Sequence, residues 1–114
     1  MSIPQEALKK MLFEMQTQVQ QTRAELTACE SQINRNRTNI KVADLTIAEL
    51  EGTEEVWEGV GRAFFQTSAK TYSNSLNEDK RVLATQTVAL EKKKHYYETT
   101  LEKTIDAVNK IIGQ

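Results

Sequence analysis

Gly52-Thr53-Glu54-Glu55-Val56-Trp57-Glu58-Gly59-Val60-Gly61-Arg62-Ala63-Phe64-Phe65-Gln66-Thr67-Ser68 holds three of the chain's four glycines and its one tryptophan. Val56 to Val60 and Ala63 to Thr67 are short runs of β-favouring residues, and Gly61-Arg62 between them has the composition of a two-residue hairpin turn. Gly52 suits the left-handed end of a preceding helix, and Ser68 suits the cap of a following one. A hairpin over about 55–67 would expose Trp57, Phe64 and Phe65 and leave both strand edges open. Two strands alone are marginal in water and open edges invite pairing, so the simplest solution is assembly with other copies or relatives. Gly59-Val60-Gly61 is no phosphate loop, because it lacks a third glycine, a Walker lysine and a strand-to-helix setting.

Working back toward the N-terminus, Pro4 is the chain's one proline, at a place where it opens a helix without losing an internal hydrogen bond. No glycine or proline follows until Gly52. Leu8, Leu12, Met15, Val19, Thr22, Leu26, Cys29, Ile33, Asn36, Ile40, Ala43, Ile47 and Leu50 are spaced alternately four and three apart, and eleven of these thirteen are apolar. A period of 3.5 held over this length predicts a coiled-coil helix over about 4–51, roughly 65 Å long and too long to sit within a small globule. Two seam positions leave readings open. Asn36 is either a buried amide that sets register or a weak spot turned to water. Cys29 reads as a small buried hydrophobe rather than a reactive thiol. Arg35, Arg37 and Lys41 read as a solvated face, balanced by Glu30, Asp44 and Glu49.

Toward the C-terminus, a second helix is expected over about 69–112. Its seam, Leu76, Lys80, Leu83, Thr87, Leu90, Lys94, Tyr97, Leu101, Thr104, Val108 and Ile111, is weaker, with seven of eleven apolar. Near its end Leu101, Ile105, Val108 and Ile112 form an equally good stripe. Two helices of similar length joined by a tight connection imply an antiparallel pair. At the open end of that pair Leu8, Met11, Leu12, Phe13 and Met15 on one helix, and Ile105, Val108, Ile111 and Ile112 on the other, exceed one narrow stripe. The surplus either keeps the ends from fraying or forms an exposed apolar patch for non-native chains. The run Lys92-Lys93-Lys94-His95 is too short for a nucleic-acid stripe and reads as a solvated face, with Tyr96 and Tyr97 packed along the shaft.

Composition narrows the classes. The 114 residues are one domain's worth, 39% are apolar, and the net charge is −1. Leu, Ile, Val and Phe number 26, so the chain stands just above the range typical of disorder. No apolar run is long enough to cross a membrane. Met1-Ser2-Ile3-Pro4-Gln5-Glu6 has no basic stretch leading into an apolar one, so no secretory signal is expected. One cysteine and one histidine leave no disulfide framework and no expected metal site. The balanced charge gives no footprint for DNA or RNA. With no nucleophile–base pair, carboxylate pair or cofactor loop, neither catalysis nor a cofactor is expected. A cytoplasmic, mainly helical interaction protein is the expectation.

Helix, β-hairpin and returning helix in this length resemble the beta-type subunits of the prefoldin family. Glu58-Gly59-Val60-Gly61-Arg62-Ala63-Phe64 and, later, Lys93-Lys94-His95-Tyr96-Tyr97-Glu98 look most like the subunit 1 branch, with Trp57 where Tyr is usual and Ala63 where Met is common. The resemblance implies a single prefoldin-like domain over 1–114, in a heterohexamer of two alpha-type and four beta-type subunits. The hairpins of such a complex join into a β-barrel, and coiled-coil tips hold unfolded chains, notably actin and tubulin, for the group II chaperonin without using ATP. On that reading Val56, Trp57, Gly59, Val60, Gly61, Phe64 and Phe65 serve assembly. Leu8, Met11, Leu12, Phe13, Ile105, Val108 and Ile112 serve client contact. The competing expectation is a coiled-coil adaptor or tether that docks one defined partner.

Overall fold

The two flanks free of internal glycine and proline are helices, α1 (Gln5–Leu50) and α2 (Ala69–Ile112), with strands β1 (Glu55–Val60) and β2 (Ala63–Ser68) between them. The structure is a computed structural model that describes residues 4–51, 55–60 and 63–113, with side chains at 4–51 and 68–113. Helix ends follow local chemistry. The Leu8 N–H donates to the Pro4 carbonyl at 2.9 Å, so Pro4 stands at the helix entrance. The Thr71 N–H donates to Ser68 Oγ at 3.1 Å, which makes Ser68 the cap of α2 and satisfies a donor that the helix cannot pair. Glu6 in the first turn of α1 and Lys110 in the last turn of α2 complement the helix dipoles. Thr17, Thr27, Thr46, Thr85 and Thr104 each donate to the carbonyl four residues earlier, which keeps their hydroxyls paired inside a helix.

The strands form an antiparallel two-stranded sheet whose register sets Val56 opposite Thr67, Trp57 opposite Gln66, Glu58 opposite Phe65 and Gly59 opposite Phe64. Each strand is one residue longer than the β-favouring run read from composition. Glu55 joins β1 and Ser68 joins β2, so Ser68 both ends a strand and caps a helix. Gly52 and the expected turn residues Gly61 and Arg62 lie outside the described residues.

The chain divides into two compact units. One comprises Ile33–Ala89. There the helices run antiparallel, because Asn36 meets Thr87 while Asp44, further along α1, meets the earlier Lys80. Among its described residues Ile33, Asn36, Ala43 and Ala69 are buried. Asn36 is 1% exposed. Its Nδ2 donates to Thr87 Oγ1 at 3.4 Å, and the Thr87 hydroxyl donates onward to the Leu83 carbonyl at 2.8 Å. Of the two readings of Asn36, the buried amide is the one the structure holds. Lys80, a seam position, bends its ammonium to the carboxylate of Asp44 and so keeps its charge paired at the edge of the seam.

The other unit comprises Met1–Gln32 and Leu90–Gln114. Antiparallel pairing recurs, with Glu30 ion-paired to Lys94 at 3.8 Å and Leu12 beside Ile112. Only Thr22 and Cys29 are buried among its described residues. Leu8, Leu12, Met15, Val19 and Leu26 of α1, and Leu90, Tyr97, Leu101, Thr104, Val108 and Ile111 of α2, are half-buried. Cys29 is a free thiol in that buried position, as a small apolar residue would be. Tyr96 and Tyr97 make an edge-to-face pair at 5.6 Å, but Tyr96 itself is exposed instead of packed along the shaft.

Candidate functional site: an apolar groove on the terminal unit

The unit that contains both chain termini carries a groove lined by Leu12, Gln16 and Val19 of α1 and by Ile105, Val108, Asn109 and Ile112 of α2. Its origin is a local excess of apolar residues over what one seam can bury. A 3.5-residue seam takes Leu12, Val19, Val108 and Ile111 between the helices, and a residue next to a seam position is turned by about 100° from it. Ile112, which follows the half-buried Ile111, is therefore 68% exposed. Phe13, which follows Leu12, is 70% exposed. The two competing stripes share Leu101 and Val108, and Thr104 and Ile105 are both half-buried; only the last position separates them, with Ile111 half-buried and Ile112 exposed in a groove wall.

Four of the seven residues expected to meet a client, Leu12, Ile105, Val108 and Ile112, come together in this lining. Phe13 is exposed beside it in sequence, while Leu8 and Met11 are half-buried outside the lining. Methionine, expected to supply an adaptable grip, takes no part in the walls, which are Leu, Val and Ile with two amides. Sequence patterning missed Gln16 and Asn109, because an amide beside a seam carries no apolar signal.

The apolar surface continues. A second stretch, lined by Leu26, Glu30, Glu98, Leu101, Glu102, Ile105 and Asp106, shares Ile105 with the first. All of its charged lining residues are acidic. The hairpin positions can be placed by backbone alone: Val56, Trp57, Gly59 and Val60 lie on β1, Phe64 and Phe65 on β2, and Gly61 outside the described residues. Among the described residues no group of His, Cys, Asp and Glu could hold a metal, and no helix is long and apolar enough to cross a membrane.

Comparison with known proteins follows the same outline. The sequence profile of the family described as "Prefoldin subunit" matches residues 13–114. The chain is similar to prefoldin subunit 1 of Saccharomyces cerevisiae, with 36% identity over 87% of this chain and 93% of that protein. It is similar to prefoldin subunit 1 of Homo sapiens at 28% identity over 92% and 88% respectively. Among solved structures, the crystal structure of the prefoldin beta subunit from Thermococcus strain KS-1 superposes with a TM-score of 0.78, covering 96% of this chain and 94% of that one at 18% identity, a likeness of fold.

Proposed function

The chain belongs to the prefoldin family, and from that premise we propose that it is an ATP-independent co-chaperone subunit that holds unfolded proteins in the groove of its terminal unit. The observation that carries the proposal is the groove itself, an apolar trough with Ile112 in its wall and Phe13 exposed beside Leu12. A contiguous exposed apolar patch, unlike a single exposed side chain, is a place where another apolar surface can dock. Open walls of Leu, Val and Ile without a fixed polar pattern suit many sequences weakly. Several such grooves in one complex would turn weak contacts into useful avidity.

Assembly rests on the strands. Within the described residues β1 and β2 pair only with each other, so each presents an unpaired edge to further strands. We assign Val56, Trp57, Gly59, Val60, Gly61, Phe64 and Phe65 to a shared β-barrel with alpha- and beta-type subunits of a heterohexamer. Its clients on this reading are actin- and tubulin-like chains passed to the group II chaperonin in the cytoplasm.

The test is the double variant Phe13→Ser, Ile112→Ser. Suppression of aggregation of an unfolded client should fall severalfold, while the variant still copurifies with the same subunits as the parent chain. Loss of the complex would move both residues to a structural role. Copurification of the parent chain with one unrelated partner, and no suppression of aggregation, would overturn the proposal in favour of an adaptor.

A further inference from the structure

The second stretch of the groove points to the chemistry of what it holds. Leu26, Leu101 and Ile105 form an apolar floor, and Glu98, Glu102 and Asp106 line it from α2 at successive spacings of four. That spacing sets the three carboxylates in one row, about 6 Å apart along the helix. Like charges so placed repel one another, and none of the three has an ion-pair partner among the described residues. Glu30, the fourth acid in the lining, is paired to Lys94. No basic residue lines either stretch of the groove.

We infer that the groove selects unfolded segments in which Lys or Arg alternates with apolar residues, the apolar side chains lying on Leu101 and Ile105 and the cations meeting Glu98, Glu102 and Asp106. The inference rests on the proposed role of the groove in holding clients and adds a charge preference to it. Long cationic side chains fit such a place, since their methylene stems cover apolar surface while the head reaches the rim. A cation would also relieve the repulsion within the row, whereas an acidic segment would add to it. Because the row is exposed, the preference should be modest and sensitive to salt.

Three fluorescent amphipathic peptides of one apolar pattern, with Lys, Gln or Glu at the polar positions, would be titrated against the full chain together with whatever subunits copurify. Affinity should fall in the order Lys, Gln, Glu, with the Lys peptide about fivefold tighter than the Gln peptide at low salt. The gap should close toward 1 M salt, where the screening length is only about 3 Å. In the Glu98→Gln, Glu102→Gln, Asp106→Asn variant the three affinities should converge. If that variant loses helicity, the salt series on the parent chain answers the same question. Equal binding of all three peptides, or tightest binding of the Glu peptide, would overturn the charge preference and leave the apolar groove standing. Failure of every peptide to bind would overturn the groove's role in client binding as well.

Discussion

Both units pair α1 against α2 antiparallel, and they bury different things. Among its described residues the Ile33–Ala89 unit buries Ile33, Ala43, Ala69 and Asn36, and the Asn36 amide reaches Thr87 across the seam. Among the described residues of the terminal unit only Thr22 and Cys29 are buried, and Leu12, Val19, Ile105 and Val108 remain half in water along a groove. A buried amide with a cross-seam partner penalises every register that would leave it unpaired, so it specifies one alignment of the helices. Surplus aliphatic surface does the reverse, because it accepts any apolar surface that covers it. The difference lies in the buried amide and its partner rather than in exposed apolar surface, since the Ile33–Ala89 unit also leaves Val42, Leu45, Val82 and Val88 exposed.

Truncating an isoleucine in each unit gives the widest separation. Ile33→Ala should lower the stability of the folded chain by about 3 kcal/mol, since Ile33 is 3% exposed and its loss leaves a cavity. Ile112→Ala should change it by no more than about 0.5 kcal/mol. Urea unfolding of the two variants measures both, and equal losses would break the comparison.

The polar seam residues come next. Asn36→Ala should cost about 2 kcal/mol, because it removes a buried hydrogen bond and leaves space behind. Thr22→Val, nearly the same shape at a position 7% exposed, should fall within about 1 kcal/mol of the parent chain. A larger loss at Thr22 than at Asn36 would mean that the terminal unit, too, relies on a polar contact for its alignment.

Smaller still is the cap shared by β2 and α2. Ser68→Ala should cost about 1 kcal/mol and fray the start of α2, seen as faster amide exchange at Thr71. Unchanged exchange there would show that the sheet, rather than the cap, holds the helix end.

The smallest effect is electrostatic. The hydrogen bond from Arg81, followed by its positive charge, holds the Glu78 carboxyl below the usual glutamate value. A carboxyl lowered in this way stabilises the folded chain above its unfolded pKa, and that contribution is lost as pH falls through the lowered value. NMR titration should therefore find the Glu78 midpoint depressed and returned to the ordinary range in Arg81→Gln. An unaltered midpoint would remove the pair from the description of the Ile33–Ala89 unit.

Much of this was legible in the residue pattern. Every one of the thirteen α1 seam positions and the eleven α2 seam positions is buried or half-buried. The reason is geometric: a period of 3.5 kept without interruption returns to one face of a helix whatever the partner is. The cap at Ser68 was equally legible, since a hydroxyl before a helical run meets a donor three residues on.

Where neighbouring residues were both apolar, periodicity could not choose between them. Ile111 and Ile112 each continue a plausible stripe, and only the position of α1 beside them makes the first a seam residue and the second a groove wall. Asn36 posed the same difficulty, because whether an amide is satisfied depends on Thr87, fifty-one residues away. No apolar periodicity marks the row Glu98, Glu102 and Asp106 as a groove rim, because part of its floor, Leu26, belongs to the other helix. What the sequence by itself determined was the two helices, their seams and the break between them, since these follow from spacing along one chain. Which residues are buried, which hydrogen-bond and which stand open in a groove was decided by the tertiary structure, because each depends on a surface contributed by the other helix.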